Sequence, residues 1–495
     1  MRTGGFHVSP PGLPARPGPV THKLTEGPIV PTLVAFSLPL LTTNFLHSLA
    51  GTWGAIWVSH VLGPDALTAV VNANVFMFMM MGAVMGVGTA AGIAVGQSIG
   101  AQDVRAVKRI AGTSVSFVLT VSGLLALSGY VFAPALIDLM QLPSGARAPA
   151  LEFLRVTCLS MPSIFTFLFL SMLMRGAGDA KTPFRFSLLW IGLGLCLSPL
   201  LLTGAFGFPR LGIAGVAFGN LIANATALCC LVIFIYVRGL PLALRGEDLH
   251  HLKPDPALLG LLMKNGLPMA LETFIVQGAY FLLLSMVNGY GSATAAAYSG
   301  AAQLWGYVQM PAIALAASMS AMAAQNIGAG RWDRVEQIAL KGCLVSGAFT
   351  LAMTVLIYLL GDWPLMLFLP QGGEALETAH TINLIALWGW IVLSVTSGLS
   401  AIVRANAAML APTMIFAVTM WIFRVPFALM LQPALAASAI WWSFPVGSIS
   451  SALLALAYYR WGGWRRNRPL LSSTQTSPAV GPVENGSHDH IRRDP

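Results

Sequence analysis

The sequence predicts an all-α integral membrane protein of twelve transmembrane helices, arranged as two parallel six-helix repeats. Three observations carry that prediction. Only 9% of the 495 residues are charged, while 56% are hydrophobic and mean hydropathy is +0.74; a soluble domain carries about 25% charged residues. Lysine and arginine are confined almost entirely to one set of loops. A set of prolines, glycines and polar residues recurs at one fixed offset along the chain.

The chain divides as follows. Residues 1–27 contain Pro10, Pro11, Pro14, Pro17 and Pro19 and lack the apolar residues to bury a core, so they read as a disordered tail, as does the polar stretch 462–495. Between them lie an N-lobe at 28–240, a linker at 241–255 and a C-lobe at 256–461. Apolar segments 1 to 6 cover roughly 29–62, 66–97, 105–138, 146–174, 182–206 and 211–237. Segments 7 to 12 cover 256–288, 293–327, 333–368, 376–403, 411–431 and 434–461. The first is far longer than the roughly 7–15 residues of a signal-peptide core, which makes it a mature span. Several exceed the ~20 residues that cross a ~30 Å hydrocarbon layer, so those helices tilt, bend or project into water. Pro39 and Pro268 lie inside segments 1 and 7, where an interior proline kinks a helix. The five cysteines all fall in apolar segments and form neither a disulfide framework nor a metal spacing, so they read as small reduced core residues.

Charge tests this count. With both termini cytoplasmic, the cytoplasmic loops and tails hold 23 lysines and arginines, and the opposite loops hold only Arg147 and Arg210. Cytoplasmic loops retain positive charge, so a multi-pass protein of the cell inner (plasma) membrane results. The net charge of +9 therefore has a topological origin and does not point to nucleic acid.

The repeat is read directly. Leu38-Pro39 recurs as Leu267-Pro268, Gln97 and Gly100-Ala101 as Gln325 and Gly328-Ala329, and Arg175 and Pro183 as Arg404 and Pro412, always 228 or 229 residues later. An even number of spans per copy makes the repeats parallel, an arrangement that suits transporters rocking two lobes about a central site.

At these positions the chain resembles the multidrug and toxic-compound extrusion (MATE) family. Arg175-Gly176-Ala177-Gly178-Asp179-Ala180-Lys181-Thr182-Pro183 is similar to that family's loop between helices 4 and 5, and Leu62 to Val70 to its helix 1–2 turn. Pro209 to Ala217 resembles the 5–6 turn, and Trp421-Ile422-Phe423-Arg424-Val425-Pro426 the helix 11 motif. The resemblance implies two lobes forming a V around a cavity, and export of lipophilic, often cationic compounds in antiport with H⁺ or Na⁺. It also implies an aspartate in helix 1 and another before the helix 5 proline; here those regions read Trp53-Gly54-Ala55-Ile56 and Ser198-Pro199, so the amino-terminal acidic site is missing.

An ionisable group in hydrocarbon is expensive and marks a candidate site. Glu272, just past Pro268, is the acid clearly inside a span and the first candidate for cation coupling; the alternative is a neutral carboxyl donating to a carbonyl freed by the proline. Asn44, His47, Ser48, Gly51 and Thr52 share one face of helix 1. They read either as a cavity wall, with His47 a second proton carrier, or as helix–helix hydrogen bonding. Tyr280, Gln303 and Tyr307 add candidate cavity surface, as do Met77, Met79, Met80, Met81 and Met85. Arg175, Asp179, Lys181, Pro183, Arg404 and Pro412 sit at cytoplasmic helix ends, to latch the lobes or cap the helices. Arg424, beside Pro426, is expected to pair with freed carbonyls, and Glu152 with Arg155.

Two rival functions are weighed. A lipid-linked saccharide flippase would need a basic cavity, and the interior basic residues read from sequence are only Arg155 and Arg424. A membrane acyltransferase has His60 and Asp65 at a suggestive spacing and nothing further, so the chain is not read as an enzyme. There is no phosphate-cradling Gly-Lys-Ser/Thr loop for ATP. No cofactor or metal is implied, only membrane lipid, a small-molecule substrate and a monomeric state.

Overall fold

A computed structural model describes residues 24–139, 144–369, 372–467 and 470. Among them there is no strand. Spans 1 to 6 are Ile29–Leu62, Pro64–Gly100, Val104–Leu139, Ser144–Gly176, Lys181–Thr203 and Gly212–Arg238. Spans 7 to 9 are Pro256–Asn288, Ser292–Gly328 and Trp332–Leu360. Span 10 is a broken pair, Glu374–Ala386 and Gly389–Ala405, bent by 47°. Span 11 is Leu410–Leu435 and span 12 Ser438–Trp461. Among the described residues, eleven helices are long and apolar enough to cross a bilayer, and the bent pair makes twelve.

Departures from the predicted bounds have local causes. Segment 5 stops at Thr203 because Gly204 adopts φ 75°, a left-handed cap. Segment 9 stops at Leu360, where Gly361 has φ 57°, and a separate short helix, Trp363–Met366, follows. Spans 1 and 7 stay helical through Pro39 and Pro268. In span 1, the Thr42 and Thr43 hydroxyls donate to the carbonyls of Leu38 and Pro39 at 2.9 and 2.8 Å. Span 11 contains a π-helical stretch, Thr419–Arg424, immediately before Pro426.

Glycine sets how closely the lobes meet. A methyl group on Gly100 would lie 1.9 Å from the Gln325 carbonyl oxygen, and one on Gly328 would lie 1.9 Å from that of Gln97. Spans 2 and 8 therefore cross with backbone against backbone, at the end of the bundle that carries the loop cations. A second close approach joins span 2 to span 7, where a methyl on Gly86 would meet the Gly266 carbonyl at 2.4 Å.

The tail boundaries need correction where the chain is described. Residues 1–23, 468–469 and 471–495 lie outside the described residues. Leu24, however, is only 2% exposed, Trp464 1% and Leu470 6%, so these three belong to the packed body. The linker is ordered also. Gly246–Leu252 forms a 3-10 helix docked on span 3. Lys108 pairs with Asp248 at 2.6 Å, Arg109 pairs with Asp255, and the Ser116 hydroxyl donates to the Leu252 carbonyl at 2.6 Å.

Candidate functional site

Three arrangements bear on function: a seal at the basic end, two cavities of which one is shared between the lobes and one lies in the N-lobe, and an ion pair in the C-lobe. The seal is built from Gln97 and Gln325, the repeat-equivalent residues of spans 2 and 8. Gln97 donates to the Ala405 carbonyl at 2.7 Å, and Gln325 to the Gly176 carbonyl at 2.9 Å. Ala405 and Gly176 are themselves 229 residues apart, so each repeat's glutamine holds the same point of the other repeat. Each amide oxygen takes a second bond from a segment flanking the spans: Leu470 N–H reaches Gln97 at 2.8 Å and Leu24 N–H reaches Gln325 at 3.2 Å. Both glutamines are buried. Burial without partners would cost several kcal/mol, and four specific bonds, each joining one repeat's side to the other's, offset that cost. The sequence marked these residues as a repeat but missed this role; equal polar residues at one offset inside apolar spans were the available signal.

Directly above, a central cavity of about 280 Å³ is lined from spans 1, 2, 4, 5 and 8. Asn44, His47, Met85 and Arg175 line it. A second cavity, about 240 Å³ and wholly within the N-lobe, is walled by Trp53, Trp57, Trp190 and Phe153, with Asn74, Ser198 and Asn220 as polar groups. His47 borders both, its ring edge-on to Trp190 with centroids 4.8 Å apart. No carboxylate lines either cavity among the described residues. Ala55 and Ser198 line the second at the positions where the resemblance implied acids.

The rest of the predicted wall is not brought together. Ser48 and Thr52 line neither cavity; Thr52 donates to the Ser48 carbonyl at 3.1 Å within the helix. Gln303 is exposed, and Tyr307 meets Phe45 edge-on at 6.3 Å. Tyr280 joins a C-lobe aromatic cluster, 6.1 Å from Tyr298. Of the methionines, Met85 lines the central cavity, Met77, Met80 and Met81 pack on the core, and the Met79 side chain lies outside what is described.

The C-lobe ion pair revises two expectations. Glu272 is neither isolated nor bonded to a proline-freed carbonyl. Arg404 Nη2 donates to both its oxygens, at 2.7 and 2.8 Å. Arg404, read as a cytoplasmic latch or cap, instead reaches inward from the end of span 10. Thr413 Oγ1 of span 11 lies 3.1 Å from both Glu272 Oε2 and the Pro268 carbonyl oxygen. Its single proton can serve one of them at a time. Side-chain exposures of 18% and 17% make this a largely desolvated pair, of a kind where removing one partner costs about 3–5 kcal/mol. Pro412, next to Thr413, is buried.

Other charged residues also find partners different from those expected. Asp179 caps span 5, accepting from Thr182 N–H at 2.9 Å and Oγ1 at 2.6 Å, while Pro183 packs in the first turn and Lys181 is exposed. Of the residues read as a latch or cap, Asp179 alone accepts from the start of a helix in this way. Arg424 lies 5.0 Å from the Phe444 ring centroid, a cation–π contact in place of carbonyl pairing. Arg155 sits over Tyr130 at 5.4 Å and forms no ion pair with Glu152. His60 bonds its own helix at the Ile56 carbonyl, 2.9 Å away, and the Asp65 side chain lies outside what is described. Among the described residues, no group of His, Cys, Asp and Glu could hold a metal ion.

Comparison with known proteins agrees with this architecture over most of the chain. The family model described as MatE matches residues 39–200 and 268–430, one match in each lobe. The chain is 31% identical to Probable multidrug resistance protein YoeA of Bacillus subtilis (strain 168), over 91% of this chain and 97% of that one. It is 26% identical to Probable multidrug resistance protein YpnP of the same organism, over 90% and 98%. Among solved structures, "Crystal structure of MATE in the bent conformation" superposes with a TM-score of 0.81 at 20% identity, over 88% of this chain and 96% of that one.

Proposed function

We propose that this chain, which belongs to the multidrug and toxic-compound extrusion (MATE) family, expels a lipophilic small molecule in exchange for H⁺ or Na⁺ by alternating access. The 23-to-2 distribution of loop cations supports placing the basic end, and with it both termini, in the cytoplasm of an inner-membrane protein. The glutamine seal then describes the state closed to the cytoplasm.

One observation carries the coupling: Glu272, Arg404 and Thr413 tie spans 7, 10 and 11 at a single carboxylate. An incoming proton or sodium ion competes with the guanidinium for that carboxylate. When Glu272 is neutralised, Arg404 loses its partner, and the Thr413 proton is free to turn to the Pro268 carbonyl. Span 10 is thereby released from spans 7 and 11, which stay joined through Thr413 and Pro268, and that is the differential contact that a coupled change of state requires. His47, which borders both the central and the N-lobe cavity, supports a second proton site.

Efflux of a fluorescent solute from loaded proteoliposomes, driven separately by pH and sodium gradients, tests this reading. Glu272→Gln is expected to abolish gradient-driven efflux at unchanged membrane content, and His47→Gln to shift its pH dependence. Wild-type rates in Glu272→Gln, or a requirement for ATP, would exclude the scheme.

A further inference from the structure

The two repeats differ at the ion pair, and the difference leaves one guanidinium without a partner among the described residues. Arg404 and Glu272 of the C-lobe correspond, at the 229-residue offset, to Arg175 and Thr43 of the N-lobe. The N-lobe thus keeps the cation and lacks the acid. Thr413 corresponds to Phe184, so the supporting hydroxyl is gone as well. Thr43 spends its own proton on the Pro39 carbonyl. The Arg175 side chain forms no hydrogen bond or ion pair with any described residue. Its nearest acid in sequence, Asp179, is occupied at both oxygens by Thr182.

Arg175 lines the central cavity together with Thr43, and the neutral donors Asn44, His47, Ser187 and Ser320 line it too. No carboxylate does, among the described residues. Arg175 lies in the last turn of span 4 with no counter-charge among the described residues, and its planar fork matches the oxygens of a carboxylate or phosphate. Met85, Met172, Phe167 and Ile313 supply polarizable, apolar wall for the rest of a ligand.

We infer that the central cavity binds an amphiphile through an anionic head, a carboxylate or phosphate seated on Arg175, with its apolar body against the methionine- and phenylalanine-lined wall. This deepens the transport reading and rests on it for the cargo's passage. It sets this cavity against the cationic cargo that the family resemblance implies. It also corrects the count of interior basic residues that weighed against a phosphate-bearing lipid.

The test uses the full-length protein in phosphatidylcholine nanodiscs, with 4-methylumbelliferyl phosphate as the anionic probe and neutral 4-methylumbelliferone as its parent. The phosphate is expected to bind at least about 10-fold more tightly than the parent, a difference of ~1.4 kcal/mol. Arg175→Gln should erase that ratio. Thr43→Glu, which installs the acid that the other repeat carries, should erase it too and strengthen binding of tetraphenylphosphonium. Should Arg175→Gln fail to fold, Thr43→Glu decides alone. Equal binding of phosphate and parent by the wild type, or a ratio preserved in the folded variants, overturns the inference. Adding phosphatidylglycerol separates two sources of the same chemistry: competition assigns the site to a lipid-borne head, and its absence to a soluble cargo. Binding without gradient-driven efflux would remove the transport reading and leave the anion site intact. Efflux of tetraphenylphosphonium without selective phosphate binding would do the reverse.

Discussion

Replacing Gly100 with alanine tests the backbone crossing at the basic end. The added methyl would sit 1.9 Å from the Gln325 carbonyl oxygen and 3.0 Å from the Ala329 nitrogen, whereas ordinary contact begins near 3.4 Å. Spans 2 and 8 must therefore part by more than 1 Å, and parting them strains the Gln97 and Gln325 bonds. Overpacking of this kind costs about 1–3 kcal/mol. All of that cost falls on the closed state, so the population open at this end should rise about 5- to 150-fold. The readout is the rate at which a membrane-impermeant maleimide, added from the basic side, labels Ser98→Cys in a protein stripped of its five native cysteines. Ser98 is 4% exposed and beside the crossing, so it reacts only when the lobes separate. Gly328→Ala should behave the same way, because its methyl meets the Gln97 carbonyl at the same 1.9 Å. Gly123→Ala in span 3 is the control. No atom lies within 4 Å of its methyl, so it should be neutral or slightly stabilising. Labelling at the wild-type rate in both crossing variants would refute the assignment of this contact as the seal.

Two further outcomes are expected. Gln97→Leu orphans the Ala405 carbonyl and the Leu470 amide, at about 1–3 kcal/mol for each group left buried without a partner. The thermal midpoint should fall and carboxypeptidase should gain access to residues before Leu470; an unchanged midpoint with full protection would contradict the role given to this bond. The linker strap should loosen in acid in two stages. Burial, reinforced by neighbouring His250, holds His251 below its ordinary value, so protonation begins to favour the detached strap as pH falls through about 6.5. The Lys108 hydrogen bond holds the Asp248 carboxyl low. Asp255 is held low against its own desolvation by Arg109 and the amides of Leu258 and Ala257. Both pairs hold above the ordinary carboxylate range near ~4 and are lost as pH drops below it. A nitroxide on Gly246→Cys should report rising mobility over these two windows, and constant spectra from about pH 8 to about 3.5 would count against the strap.

The spans and their pairing into repeats were legible because hydrocarbon thickness and loop charge act on composition alone. Leu38-Pro39 and Leu267-Pro268 announce the duplication without any structure. What one sequence could not show is which side chains meet across more than a hundred residues. Glu272 was identifiable as an unusual acid, but its partner lies 132 positions away. Arg404 read as a loop cation because it stands one residue before its helix ends at Ala405. The stripe Asn44, His47, Ser48, Gly51 and Thr52 satisfied helical periodicity, yet the cavity walls use a narrower arc, and Asn44, His47 and Gly51 fall within it while Ser48 and Thr52 do not. Leu24, Trp464 and Leu470 lay beside runs too polar to fold alone; they are ordered by side-chain amides and packing supplied from distant spans.

The reciprocal glutamine bonds have a consequence for how such a molecule arises. Each repeat presents one donor and one acceptor, and each finds its complement on the other, so the contact is self-complementary in the manner of an isologous two-fold dimer. Two free copies of a single ancestral half, inserted in the same orientation, could have met through this same contact before any peptide joined them. Once joined, the copies are free to differ, as they do where one repeat has Glu272 and the other Thr43.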